Sequence, residues 1–223
     1  MKNLHTRNSL AGRSLRTAFL AFAMAWAVPG QAWEDGDEEK CPLRGHYVNY
    51  YGFTVTLPDG LKGCPNSPVG MSDHGVEIPL DPQRQRVIDV FAAYNATLDE
   101  TVADSIARSI DSFREDKTVT GLRVISRSAS RLGGLRAQRL VLRYRLKETG
   151  VEMVFDSSDA LRSVIKPFSE PSHSYRVSLI TPAKFYKADR RVLEQVLASW
   201  HQSATEDDPP RHPPGQHKKL IKR

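Results

Sequence analysis

The alternation of apolar and polar positions is clearest near the end of the chain. In Tyr175–Ile180 the residues Tyr175, Val177 and Leu179 alternate with Arg176 and Ser178, the period of two that places one face of a strand on a core. After Thr181-Pro182 the period lengthens. Leu193, Val196, Leu197 and Trp200 fall at i, i+3, i+4 and i+7, one stripe of a helix whose other side carries Arg190, Arg191, Glu194 and Gln195. Upstream, Phe53, Val55 and Leu57 alternate with Thr54 and Thr56 in a strand that Pro58-Asp59-Gly60 turns off. Leu61–Pro82 reads as loop, since Pro65, Pro68, Pro79, Pro82, Gly63, Gly70 and Gly75 interrupt it; Val87–Tyr94 reads as a second, largely buried strand. Thr97–Lys117 predicts a helix, opened by a capping box over Thr97-Leu98-Asp99-Glu100 and striped by Leu98, Val102, Ile106, Ile110 and Phe113.

Leu122–Ser128, Leu135–Leu146 and Val151–Phe155 form an antiparallel meander with Gly133-Gly134 and Thr149-Gly150 at its turns. In the middle strand Leu140, Leu142, Tyr144 and Leu146 face one way, and Arg139, Val141, Arg143 and Arg145 the other. Leu161–Phe168 is a weaker strand or short helix. The loop at Leu61–Pro82 is too short to separate two domains and no repeat is present. The elements therefore predict a single α+β domain over about residues 41–202, an antiparallel β-sheet flanked by helices in an αβα sandwich. In this reading the final strand completes the sheet begun by Phe53–Leu57, and the two helices cap one core side by side.

Two stretches carry a resemblance. Tyr51-Gly52-Phe53-Thr54-Val55-Thr56-Leu57-Pro58 near the start, and Tyr175–Ile180 with Thr181-Pro182, Tyr186 and the Leu193–Trp200 helix at the end, resemble the two ends of the PsbP-like family, whose fold is shared with a Ran-GTPase-binding protein. The resemblance spans about residues 46–201. It implies a PsbP-like fold and a binding or assembly role without a shared catalytic set, so no functional residue is carried over. The Leu61–Pro82 loop with its cysteine departs from that pattern.

Charge changes the picture at the ends. The formal charge is +6, but Lys2, Arg7, Arg13 and Arg16 stand without an acid before residue 33, and the last 21 residues hold five basic side chains against Glu206, Asp207 and Asp208, leaving residues 33–202 neutral. The first 32 residues have a basic start, an apolar run from Ala18 to Val28 and Gly30-Gln31-Ala32, the pattern of a signal peptide cleaved after about Ala32. The apolar run is short of the roughly 20 residues that cross a bilayer, so no transmembrane anchor is expected after cleavage. A periplasmic or secreted location follows. Residues 33–40, WEDGDEEK, are an acidic mobile segment, and residues 203–223 a disordered Pro/Lys-rich tail. Two cysteines in an exported chain predict a disulfide between Cys41 and Cys64, against the alternative of two free thiols.

Candidate chemistry is sparse. The chain lacks a Gly-x-Ser-x-Gly elbow, a phosphate loop, Gly-x-Gly-x-x-Gly, His-Glu-x-x-His and Cys-x-x-Cys, and no catalytic residues, metal or cofactor are assigned. Asp73 and His74, with Ser72 and Glu77 nearby, form the best local cluster, since a carboxylate beside an imidazole orients a base or ligand; loop-structuring through an Asx turn competes. From Thr118 to Lys147 there are eight basic residues and no acid. If Arg139, Arg143 and Arg145 share an outer sheet face with Arg123 and Arg127, that face is a basic patch suited to an anionic partner. Nucleic acid is not expected, given the exported location and the single aromatic, Tyr144, among these arginines. The expected function is a non-catalytic exported binding or assembly module contacting another exported or envelope protein, as an accessory subunit or an inhibitor. Binding of an anionic lipid or glycan through the arginine strand is the alternative, and hydrolysis at the Asp73-His74 loop the third reading.

Overall fold

The computed structural model describes residues 41–66, 74–99, 101–163 and 172–203. The predicted signal segment, the acidic stretch 33–40, Asp73 and the tail from residue 204 lie outside the described residues. In chain order the elements are β1 (His46–Asn49), β2 (Phe53–Thr56), β3 (Cys64–Pro65), β4 (Gly75–Pro79), β5 (Val87–Tyr94), α1 (Val102–Glu115), β6 (Val119–Leu132), β7 (Leu135–Leu146), β8 (Glu152–Arg162), β9 (His173–Pro182), α2 (Tyr186–Ser199) and β10 (His201–Gln202). Seven of the strands form one antiparallel sheet in the order β3-β4-β5-β9-β8-β7-β6. Strands β1, β2 and β10 make a small second sheet.

This is the expected α+β architecture, with two changes of placement. The final strand does not extend the sheet of Phe53–Leu57. β9 lies at the centre of the large sheet between β5 and β8, while β2 pairs with β1 and β10. The helices also lie on opposite faces. On one face Tyr175, Val177 and Leu179 of β9 join Ile88 and Val90 of β5 against Phe53 and Val55 of β2 and against Leu193 and Val196 of α2. On the other, Ile106 of α1 packs on Leu140, Leu142 and Tyr144 of β7 and on Met153 and Phe155 of β8. A long strand with alternating side chains has two faces to cover, and here each face receives its own helix.

Local detail departs from the periodicity in three places. The loop predicted at Leu61–Pro82 contains β3 and β4, whose Val76 and Ile78 are fully buried; Pro65 and Pro79 each sit at the end of a strand, where proline is tolerated. The α1 capping box is one turn later than expected. Thr101 is the N-cap, with Asp104 N–H donating to Thr101 Oγ1 and Thr101 N–H to Asp104 Oδ2. Leu98 instead has φ 53° and is 78% exposed, fixed in a turn by two hydrogen bonds between Asn95 and Asp99. Finally, β8 runs unbroken to Arg162 where a strand end and a second element had been expected.

The predicted disulfide forms, tying Cys41 to Cys64 at the β3 edge. In the chain-entropy account its loop contributes on the order of 3 kcal/mol. At the opposite end of the sheet the β6–β7 turn closes onto the helix terminus. Leu132 is fully buried, and Gly133, at φ +53°, lies so close to Trp200 that a Cβ there would sit 2.3 Å from the indole Cε3. Phe53 stacks on that indole at 5.8 Å and Tyr175 meets it edge-on at 5.4 Å. The hairpin is thereby anchored at its tip.

Candidate binding surface on the arginine strands

The two long strands β6 and β7 carry seven arginines, and register decides which face each serves. Residues directly opposite in an antiparallel pair point the same way. Arg123 opposes Arg143, and Arg139 and Arg145 follow on that face by alternation. Arg127 opposes Leu140, whose side chain is in the α1 core, so Arg127 is on the α1 face. The predicted five-arginine face is therefore corrected to four plus one. The cause is a register shift between Val124 and Ser126, where an extra residue flips the rest of the strand. Arg127 instead donates to Gln138 Oε1 at 2.9 Å and to the Ala103 carbonyl of α1.

The arginines also differ in how fully they are already engaged. Arg139 makes a bidentate pair with Asp156, Nε at 2.7 Å and Nη2 at 2.8 Å, and Nη1 reaches Glu194 of α2 at 2.7 Å. Asp156 is fully buried and also accepts from Tyr186 Oη at 2.7 Å. Burial and this carboxylate push the Tyr186 phenol up to about 12, and the hydrogen bonds to Asp156 hold the Arg139 guanidinium further above its ordinary value. Arg139 is thus a structural ion-pair residue joining sheet to helix. Glu152 stands 2.8 Å from Arg123 and 3.7 Å from Arg143, and directly opposes Arg145 in register.

The remaining arginines lack such partners. Arg131 and Arg136 directly oppose one another beside the hairpin turn, both exposed, and alternation from the buried Leu132 puts them on the α1 face with Arg127. Among the described residues, Arg127, Arg131 and Arg136 contact no carboxylate; Arg131 donates only to the Gly134 carbonyl. Directly opposed like charges destabilise a strand pair by a few tenths of a kcal/mol to about 1 kcal/mol. The opposition of Arg131 and Arg136 is therefore mildly unfavourable in the isolated fold.

Between β6, β7 and α2 lies a groove of ≈ 410 Å³ into which Ser126, Ser128, Arg139, Arg143, Tyr186 and Arg190 project or border. A hollow of ≈ 300 Å³ adjoins it, sharing Ser130 and Arg139. Hydroxyl and guanidinium donors share this lining with Ile125, Ala129 and Val141. Ser126, Ser128 and Arg190 escaped notice in the sequence because serines in a strand carry no motif and Arg190 meets the groove only through the packing of α2.

His74, the other predicted site residue, lies at the far side of the sheet. Its ring is sandwiched between Tyr51 at 5.2 Å and Phe91 at 5.5 Å, and Nδ1 is 3.0 Å from the Ala92 carbonyl. A carbonyl only accepts, so Nδ1 carries the proton. The imidazole serves packing and a backbone contact. The neighbouring Glu77, 6% exposed, directly opposes Asp89 on β5. Its Oε1 is 3.2 Å from Arg84 Nη1 yet has no hydrogen-bond partner among the described residues. Burial, with Asp89 adding to it, raises Glu77 to about 7; burial raises Asp89 to about 6 although Asn66 donates to it at 2.9 Å. Arg84, at a left-handed φ of 51°, also reaches both disulfide sulfurs at 3.4 and 3.5 Å. Among the described residues no three His, Cys, Asp or Glu side chains are grouped to hold a metal ion.

No protein-family model matches the chain, and no curated protein matches it. Solved structures do resemble it. LpqN of Mycobacterium tuberculosis, described as involved in cell envelope biogenesis, superposes with a TM-score of 0.51 at 14% identity, over 68% of this chain and 83% of LpqN. The cyanobacterial PsbP of Synechocystis aligns with a TM-score of 0.49 at 17% identity, over 70% of this chain and 91% of that one. At such identities the likeness is one of fold. The architecture is the α+β one that the pattern of elements implied, and LpqN shares that fold.

Proposed function

We propose that this chain is an exported, non-catalytic binding module that contacts another exported or envelope protein through the arginine surface of β6 and β7. The observation that carries the reading is the directly opposed, exposed pair Arg131–Arg136, which together with Arg127 has no carboxylate among the described residues. An acidic partner relieves that repulsion, and binding recovers what the isolated fold gives up. Three features support an extracytoplasmic setting: the predicted signal segment, the Cys41–Cys64 disulfide, and the fold likeness to LpqN, a protein described as involved in cell envelope biogenesis. No helix among the described residues is long and apolar enough to cross a membrane.

The test is affinity capture with the full chain from an envelope fraction, comparing wild type with an Arg127→Ser, Arg131→Ser, Arg136→Ser variant at two salt concentrations. The expected result is one or a few acidic proteins retained by wild type, released by salt and lost from the variant. Identical retention by both forms overturns the reading, and retention of anionic lipid or glycan in place of protein transfers it to that class of ligand.

A further inference from the structure

The two edges of the large sheet are treated differently. At one, β3 is two residues long, contains Pro65, which has no N–H to offer, and is fastened by the Cys41–Cys64 bond. Short length, proline and cross-linking are the devices that keep an edge from pairing with another chain. At the other, β6 runs 14 residues with β7 as its one strand neighbour among the described residues. Residues 120 and 121 and every residue from Arg123 to Ala129 are exposed, without alternation, so over this length the strand is open on both faces as well as along its outer edge.

The first half of β6 has its own protection. Register shifts follow Thr120 and Val124, and Gly121 at φ +61° belongs to the first of them; such bulges twist an edge out of reach. From Ser126 to Leu132 the register with β7 is regular. Here the side chains on the groove face are Ser126, Ser128 and Ser130, small enough for a neighbouring strand to approach, and on the α1 face Arg127 and Arg131 stand four residues apart. Leu132 and Gly133 at its end pack with Trp200.

We infer that the outer edge of β6 at Ser126–Leu132 takes up an extended acidic segment of another polypeptide as an added strand, an inference that rests on the binding role proposed above for this surface. Backbone groups of β6 supply the pairing. Arg127 and Arg131 supply the selection, because an added strand places side chains opposite them at a spacing of four on one face. The segment recognised therefore carries Asp or Glu four residues apart on one face, with small or hydroxyl residues on the other face opposite the serines. A second copy of this chain does not fit: pairing β6 with β6 would bring Arg127 and Arg131 of both copies together with no acid in either strand.

The experiment uses the full chain and a synthetic peptide of alternating Glu and Thr, with two twins N-methylated either at every Glu or at every Thr. In an added strand the N–H groups of alternate residues point to one side, so one twin has its methyls against β6 and the other has them in solvent. The expected result, by titration calorimetry, is that one twin binds at least about tenfold more weakly than the parent while the other matches it, a loss of about 1.4 kcal/mol. Amide exchange should slow within residues 126–132. If both twins bind like the parent, or exchange slows elsewhere, strand addition is overturned. When that happens and the triple arginine-to-serine variant still loses capture, the binding role stands without this mode; if capture is also unchanged, both fall. Anionic vesicles or heparin displacing the parent peptide while leaving exchange at 126–132 unprotected likewise overturns strand addition.

Discussion

Glu77 offers a test of the buried polar side of the sheet. In the folded chain its carboxyl is raised from 4.5 to about 7, mainly by burial, with Asp89 opposite it adding to the rise and Arg84 opposing it. The sign follows from proton counts. Between pH 4.5 and 7 the unfolded chain has already released this proton while the folded chain still holds it, so the native state binds more protons and loses stability as pH rises. The contribution is fully present below 4.5 and is gone above about 7. A shift of that size corresponds to about 3 kcal/mol. Asp89, raised to about 6 by burial, adds a parallel fall, so the wild-type profile alone does not isolate Glu77. The Glu77→Gln variant does, since the amide keeps the shape and neutrality of the protonated acid. Urea unfolding of the oxidised proteins from pH 4.5 to 8, analysed as a two-state transition, should show the variant gaining on wild type as pH rises, by up to about 3 kcal/mol at pH 8. A gap that stays constant with pH, or widens in favour of wild type, would refute the reasoning.

Three further substitutions test the binding surface and the frame around it. Gly133→Ala forces a left-handed φ and a Cβ 2.3 Å from Trp200 Cε3, and should cost roughly 2 kcal/mol or more in urea unfolding, with a changed Trp200 environment in near-ultraviolet circular dichroism. Arg139→Ala leaves the fully buried Asp156 with Tyr186 as its remaining side-chain partner among the described residues and should cost roughly 3–5 kcal/mol. Arg131→Ser, at an exposed and opposed site, should stay within about 0.5 kcal/mol of wild type or exceed it; equal losses at the two positions would contradict the division of the arginines into structural and displayed.

Several features were legible in the residues alone because they depend on local period or chemistry. The strand at Tyr175–Ile180, the α2 stripe ending at Trp200, the two-faced β7 and the Cys41–Cys64 bond are of this kind, since a period of two or 3.6 and a lone pair of cysteines each constrain near neighbours or one covalent link. The capping box was ambiguous: Thr97-x-x-Glu100 and Thr101-x-x-Asp104 have the same spacing, and the choice fell to the second once Asn95 and Asp99 closed a turn around Leu98. Tertiary structure alone decided the rest. Which sheet β2 belongs to, and that the helices cover opposite faces, depend on long-range pairing that no local period encodes. The arginine surface is the sharpest case. Eight basic residues in a row of thirty show only that positive charge is concentrated there, whereas one register shift after Val124 sends Arg127 to the other face, and a buried carboxylate at Asp156 withdraws Arg139 from solution. What stays on display, Arg127, Arg131 and Arg136 beside a strand edge that is unpaired among the described residues, is set by register and burial, because those determine which charges have already met their partners.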